Sequence, residues 1–552
     1  MGSDRRWTRG AIALVVVLAI AFRLAGLSGK VYWGDEVFSS FRVAGFTLPA
    51  VAEMLGDGQP RSPAALQYFQ TPNPDRTTAD TVRALAIDDP QHPPLYFVAL
   101  RWWHQILGPI FGDGLPLRRS LSVLIGIAVL PCVYGLAWEL FGSRAIAWTA
   151  VAIIGLSPFH VLYSLEVRNY GLWTLEIVGA SWLLLRALRL NSWGAWFAYC
   201  VSAASLLYTL LFGLFTLVGH GAFIAIALVQ KQVKWSKLIG FIGAIAFALF
   251  LWQPWLRIVI LGFGTINQTN GFTTLPVEPA MLVQNWGLNL GRLFVDWEGQ
   301  GQILPMDWPI APGLVIGIIF CTLGFIIVAA IDLWKWQRKQ PATPVSTIAF
   351  WFIATLIFAQ FLPLLLLDMR SGGFRSGVTR YWVPCYLGLQ LLIAFYLGRR
   401  LQWASQKNWG RSLLAVILTG QIISCTASAI APTWWVEQGS YDHPNVAAVL
   451  NENDAPLILS QAYIPRLVSL SYQLRPDAQI AIRPDGNLED LIRLSGDRPT
   501  YLYRPSPQWL DQIRQQYPSA AIESVYQSPA QFTYLAPLKQ HSAIQIYRLT
   551  LL

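Results

Sequence analysis

Asp35 and Glu36 stand side by side in the stretch WGDEVFSS, shortly after the first apolar run of the chain. Adjacent carboxylates can do acid–base work, hold a hard cation or cap the first turn of a helix. Val37, Phe41, Ala44 and Leu48 follow at helical spacing. That spacing predicts a short helix on the membrane surface with both acids at its N-terminus. His92, in HPPLYF, is a candidate ligand, proton carrier or hydrogen-bonding structural group. The prolines after it fix an extended entry and then start a helix. Glu166 and Arg168, in LSPFHVLYSLEVRNY, fall at an expected bilayer boundary, where ionisable groups are costly unless paired or hydrated. They read either as an ion pair or as a carboxylate facing a cavity beside an anion-binding arginine. Arg370, Arg375 and Arg380 bracket the Gly/Ser-rich stretch RSGGFRSGVTR. Flexible backbone with guanidinium groups suits phosphate, and a solvated loop is the plain alternative. Asp296, Glu298 and Asp307 are further acids without a pattern.

The elements that must position these groups are membrane helices. Of 552 residues, 54% are hydrophobic and 13% charged, against about 25% charged in soluble proteins. Several apolar runs reach the roughly 17–25 residues that cross a bilayer. The formal charge is +10, but most basic clusters lie between apolar runs, where positive-inside bias puts them, so no nucleic-acid partner is expected. Cys132, Cys200, Cys321, Cys385 and Cys425 all fall in apolar runs, which predicts neither a disulfide framework nor a cysteine metal site. The N-terminal run is interrupted by Arg23 and lacks an A-x-A cleavage site, so it is read as an uncleaved first span.

With every basic cluster cytoplasmic, the spans fall at 11–27, 118–141, 145–164, 170–190, 194–209, 212–230, 238–260, 312–332, 347–367, 381–398 and 412–431, or about eleven in all. This predicts an integral plasma (inner) membrane protein with its N-terminus cytoplasmic. Residues 93–110 carry Arg101, His104 and Gln105 among large aromatics and are read as an interfacial helix rather than a span. The predicted organisation is a transmembrane module over 1–431, with external loops at 28–117 and 261–311. A small extracytoplasmic α/β domain follows over 432–552, where strand-like runs such as PLILS and AQIAI alternate with helix-like runs such as QWLDQIRQQY. On this topology Asp35, Glu36, Glu166, Arg168 and Arg380 share the outer face. No nucleotide-binding or H-E-x-x-H motif is present, so a donor carrying its activated group on a membrane lipid fits the outward chemistry.

The ordered motifs GDEVFSS, HPPLYF, RSLSVLIGIAVLPCVYGLAWELFGSR, LSPFHVLYSLEVRNY and RYWVP resemble those of the C-type superfamily of membrane glycosyltransferases over about residues 11–400. The likeness is nearest to bacterial relatives of the protein (dolichyl-phosphate-mannose) O-mannosyltransferases and of the lipid A aminoarabinose transferase. The resemblance implies an all-α polytopic fold and transfer of a sugar from a polyprenyl or dolichyl phosphate to an acceptor outside the membrane. It implies that Asp35 is the catalytic base, with Glu36 the second acid of its pair, and that Glu166 occupies the second acidic motif. It implies that His92 shapes the site, that Arg168 and Tyr170 match E-x-R-x-Y, and that Arg380 and Tyr381 form a late pair for the donor phosphate. The mannosyltransferases continue H-P-P with Gly and Lys. Leu95 and Tyr96 stand here instead, and Tyr96 joins His92 as a candidate substrate-binding residue. The departure leaves mannose as the sugar and protein as the acceptor undecided.

The expected enzyme is a hexosyl- or pentosyltransferase acting by single displacement with inversion. Its partners are a polyprenyl-phosphate-linked sugar, a lipid, glycan or protein acceptor, and membrane lipids. No cofactor is certain, and a divalent metal on the acids stays open. The rival reading is a non-enzymatic transporter of lipid-linked sugar or polysaccharide. Transporters favour repeats and mid-bilayer sites, whereas this sequence shows no repeat and gathers its acids at one edge.

Overall fold

The computed structural model describes residues 2–296, 311–338, 349–403, 406–437, 439–486, 490–528 and 544–551. Glu298 and Asp307 lie outside the described residues. The chain forms two compact units, residues 1–28, 89–96 and 119–430 in one and residues 29–88, 97–118 and 431–552 in the other.

The first unit is helical. Helices occupy most of each of the eleven segments expected to span the membrane, from Gly2–Ala25 through Leu115–Phe141, Tyr170–Leu190 and Val383–Arg400 to Lys407–Ile430. Among the described residues, seven helices meet the length and hydropathy needed to cross a bilayer. The segment 145–164 departs from a single span. It breaks at Ser157 into helices Arg144–Gly155 and Pro158–Tyr163. A residue before proline is driven out of the helical region, and Ser157 takes φ −60 and ψ 123. Its hydroxyl donates to the Leu293 carbonyl at 3.0 Å. Arg23, which interrupts the first apolar run, is 1% exposed and donates to the carbonyls of Ala19 (2.8 Å) and Gly155 (2.7 Å). A cation within an apolar helix is tolerated when backbone carbonyls satisfy it in this way. Helix Val383–Arg400 is buried from Val383 to Gly398, as a helix apolar on all sides should be. Gly398 lets it press against a neighbour, since a Cβ there would sit 2.7 Å from Ile146 Cα.

The second unit joins the first loop to the C-terminal α/β domain. Strands β1 (Leu457–Ser460), β2 (Gln479–Ile482), β3 (Thr500–Tyr503), β4 (Ala521–Gln527) and β5 (Gln545–Thr550) form one sheet in the order β2-β1-β3-β5-β4. β1 pairs in parallel with β2 and β3, while β5 is antiparallel to β3 and β4. Leu457, Leu459, Ala481, Leu502, Trp509, Ile513 and Leu549 form its core. The outer edge of β2 is not left open, because Arg61 exchanges backbone hydrogen bonds with Ile480 at 2.9 and 2.8 Å. Covering an edge strand removes a template for aggregation.

Candidate active site

Within the second unit, Asp35 and Glu36 occupy the first turn of helix Gly34–Ala44, as the apolar spacing predicts. Val37, Phe41 and Ala44 form its buried face, each 0% exposed. The spacing does not extend to Leu48. Gly45 ends the helix at φ +89, a left-handed C-cap that favours glycine, and Leu48 opens a new helix, Leu48–Leu55. The two acids differ in environment. Glu36 is 1% exposed and its Oε2 accepts the Trp33 N–H at 3.3 Å, a capping interaction. Asp35 is half-buried, and its backbone carbonyl accepts from Ser39 Oγ at 3.1 Å.

The helix is clamped on both sides. The Arg118 guanidinium lies 5.8 Å from the Tyr32 ring and 5.7 Å from the Tyr472 ring. It donates to Tyr472 OH at 2.5 Å and to Thr71 Oγ1 at 2.8 Å. Tyr32 OH meets Ser40 Oγ and also donates to the Glu36 carbonyl at 3.2 Å. At the C-terminal end, Arg101 donates to the Val43 carbonyl at 2.8 Å, and Arg42 donates to the Phe38 carbonyl at 3.0 Å. Cations there complement the negative end of the helix. Arg42 also lies 3.7 Å from Asp88.

The first unit holds a second constellation. His92 Nδ1 lies 3.0 Å from Asp89 Oδ1, and His92 Nε2 lies 3.1 Å from Arg168 Nη2. A guanidinium can only donate. Nε2 is therefore the acceptor, and the proton of the neutral imidazole sits on Nδ1, facing Asp89. Arg168 also donates to Tyr170 OH at 3.4 Å. The Tyr170 ring carries two guanidinium groups, Arg168 at 5.4 Å and Arg380 at 5.7 Å, and Arg380 lies 6.0 Å from the Tyr381 ring. Glu166 is 5% exposed, and its carbonyl accepts the Arg168 N–H at 2.7 Å. Tyr96 is fully buried, with its hydroxyl 2.6 Å from Ser122 Oγ. The structure thus brings together His92, Arg168, Tyr170, Arg380 and Tyr381, while the Tyr96 hydroxyl is held by Ser122.

The Gly/Ser-rich stretch is exposed at Arg370, Ser371 and Gly372 and largely buried from Gly373 to Thr379. Arg375–Gly377 and Thr379–Trp382 are short 3₁₀ turns. Asp368 accepts the backbone N–H groups of Arg375 (2.8 Å) and Ser376 (2.6 Å). From the neighbouring helix Pro279–Gly291, Asn289 donates to the Gly377 carbonyl at 3.1 Å. Arg292, just beyond that helix, donates to Thr379 Oγ1 at 3.0 Å. Arg370 is exposed and Arg375 lies 3.6 Å from Asp368, so of the three arginines Arg380 is the one placed on the aromatic cluster. Asp89 escaped the sequence reading. Its signal is an acid three residues before His92, a spacing that a single turn brings together.

Against solved structures, the chain is similar to ArnT from Cupriavidus metallidurans bound to undecaprenyl phosphate, with TM-score 0.52 and 15% identity over 98% of both chains. The apo state of the same protein gives TM-score 0.53 at 13% identity, again over 98% of both chains. The Archaeoglobus fulgidus oligosaccharyltransferase in complex with Zn and sulfate gives TM-score 0.51 at 9% identity, over 89% of this chain and 67% of that one. The chain shares its fold with these proteins. No family model matches the chain, and no curated protein matches it as a relative.

The zinc in the archaeal structure raises the question of a metal here. Among the described residues, no three His, Cys, Asp or Glu side chains stand together as a ligand set. Asp89, the acid nearest His92, already faces its imidazole. The described residues as arranged do not make a metal centre.

Proposed function

We propose that this chain is an integral membrane glycosyltransferase that moves a sugar from a polyprenyl-phosphate carrier to an acceptor hydroxyl on the extracytoplasmic side. The observation that carries the reading is the pair of guanidinium groups on Tyr170, with His92 hydrogen-bonded to one of them. Two arginines held by an aromatic ring and an imidazole are suited to a phosphate monoanion or dianion. The likeness over nearly the whole chain to a protein solved with undecaprenyl phosphate supports a lipid-linked phosphate as the ligand. Transporters favour repeats and mid-bilayer sites, whereas this sequence shows no repeat and gathers its acids at one edge, so the enzyme reading is favoured.

In the proposed step Asp35 accepts the proton of the acceptor hydroxyl as its oxygen attacks the anomeric carbon. The bond from that carbon to the phosphate oxygen breaks as the new glycosidic bond forms. The electron pair leaves with the lipid phosphate, whose charge is met by Arg168 and Arg380. His92, with its proton turned towards Asp89, fixes Arg168, and Tyr170 and Tyr381 orient the guanidinium planes. Glu166 orients the acceptor, and Glu36 supports the turn that presents Asp35. Attack opposite the phosphate inverts the anomeric centre. The transferase module is assigned to 1–431 and the extracytoplasmic α/β domain to 432–552, with the N-terminus cytoplasmic in the inner membrane. The sugar is a hexose or a pentose.

Purified protein supplied with polyprenyl-phosphate sugars tests the reading. Asp35→Asn is expected to lower kcat by about 10²–10⁴-fold while leaving the donor KM close to wild type. Full transfer by a stably folded Asp35→Asn protein removes Asp35 as the base.

A further inference from the structure

The first unit carries a second cationic centre, far from the cluster on Tyr170. Helix Val383–Arg400 begins shortly after Arg380 and closes on Arg399 and Arg400, about 27 Å further along at the α-helical rise. Asp332, on helix Ala311–Gln337, takes both of these arginines. Its Oδ1 accepts from Arg399 Nη1 and its Oδ2 from Arg400 Nη1, each at 3.1 Å. One carboxylate thus serves two guanidinium groups and leaves a positive charge over. Arg399 engages through Nη1 alone, so its Nε and Nη2 donors carry no hydrogen bond to any described residue. Lys335, one turn along from Asp332 on the same helix face, is exposed and has no ion pair among the described residues.

Aromatic rings frame the guanidinium groups. Arg399 lies 4.5 Å from the Trp403 ring. Arg400 lies 3.3 Å from the Tyr396 ring and 5.8 Å from the Trp409 ring. Trp403 is 41% exposed and Trp409 51%, and half-exposed indoles are typical of the membrane–water interface. Gly410 admits helix Lys407–Ile430 to this packing, since a Cβ there would sit 3.0 Å from Arg400 Cβ. An apolar path leads away from the centre. Phe320, Leu323, Ile327 and Ile331 are exposed at helical spacing along Ala311–Gln337, and the stripe ends next to Asp332.

We infer that this end of the membrane module binds an anionic phospholipid, one whose phosphodiester headgroup carries no compensating amine. The phosphate oxygens meet Arg399 and Lys335, whose donors are open, and an acyl chain lies along the exposed stripe. Basic pockets between membrane helices hold such headgroups on the cytoplasmic side, which is where the proposed orientation puts this end. Asp332 sets the strength of the site. It holds both arginines in place and cancels part of their charge, so a zwitterionic headgroup gains little. The inference does not depend on the transferase reading and stands even if no sugar is moved.

The test uses the full-length protein in detergent, with native mass spectrometry to read bound lipid. The probes are dioleoyl phosphatidylglycerol, dioleoyl phosphatidylethanolamine and inorganic phosphate. Phosphatidylglycerol is expected to bind at least about fivefold tighter than phosphatidylethanolamine. Lys335→Gln and Arg399→Gln are each expected to weaken phosphatidylglycerol by about fivefold and to leave phosphatidylethanolamine unchanged. Asp332→Asn is expected to act in the opposite sense and tighten phosphatidylglycerol by about fivefold, because it removes the competing carboxylate. That sign separates a lipid site from a clasp between helices, in which losing either partner only loosens the structure. Lys335 is exposed, so its replacement should leave folding intact, and the thermal midpoint of each variant checks this. The site is overturned if the two lipids bind alike, if Lys335→Gln leaves binding unmoved, or if Asp332→Asn weakens it. It is also overturned if excess inorganic phosphate displaces the lipid, since the cations would then read a free anion and not a lipid.

Discussion

A carboxylate that accepts a proton from a substrate must be reachable, and one that caps a helix must be occupied. Asp35 and Glu36 divide along that line, one half-buried and the other 1% exposed with its oxygen on the Trp33 N–H. The sequence marks the pair but not the division, because burial depends on Tyr32 and Arg118, and the Tyr472 that Arg118 meets is 354 residues from it. The same holds for Arg168. Its motif was legible, while its imidazole partner comes from 76 residues away and its fellow guanidinium from beyond the middle of the chain. Arg168→Lys keeps the charge but loses the planar fork that meets both His92 and Tyr170. It is expected to lose about 10²–10³-fold in kcat/KM for the polyprenyl-phosphate sugar, with Arg168→Gln lower still. Steady-state kinetics at saturating acceptor would show this.

Among elements, the existence of the helices was readable from hydropathy, and two of their interruptions were missed although glycine or proline marks them. Gly45 stops the Asp35 helix before Leu48, and Pro158 splits the third membrane segment. β4 and helix Ile464–Ser471 were missed, the first because its residues alternate poorly between exposed and part-buried as an outer strand. Close approaches such as Gly398 on Ile146 depend on the neighbour's backbone and leave no local trace. Gly398→Val is expected to destabilise the protein by about 1–3 kcal/mol through overpacking, measured as a lowered thermal midpoint in detergent. The helix His443–Leu450 offers a pH test. His443 is fully buried between Ser469 (3.0 Å) and Tyr503 (3.1 Å), and burial first, then Arg504 and Arg466, lowers its pKa to about 3. The native imidazole stays neutral where the unfolded one, near pKa 6.5, gains a proton. Stability from this group is therefore full above about pH 6.5 and declines as pH falls towards 3, by up to about 1.4 kcal/mol per pH unit. Thermal midpoints of wild type should fall more steeply across that window than those of His443→Gln.

At the scale of the whole molecule, the division into two units does not follow the linear order of the chain. The first loop, residues 29–88, shares its unit with residues 431–552. Hydropathy cannot reveal this, since it sorts apolar runs from polar ones but does not pair polar segments with one another. A chain ended after residue 431 is expected to lose transfer even though Asp35, Glu166 and Arg168 all remain. Limited proteolysis should then cut within 29–88, where the full chain resists. The reason lies in time as well as in space. Gln67 hydrogen-bonds to Ser471, 404 residues further on. A ribosome adding roughly 5–20 residues per second needs about 20–80 s to cover that stretch. Throughout that interval the Asp35 helix has been made but lacks Tyr472 and Tyr463, so it is assembled last although it is synthesised early. On the proposed reading, the protein is born without its base in place, and competence for chemistry arrives only with the final fifth of translation.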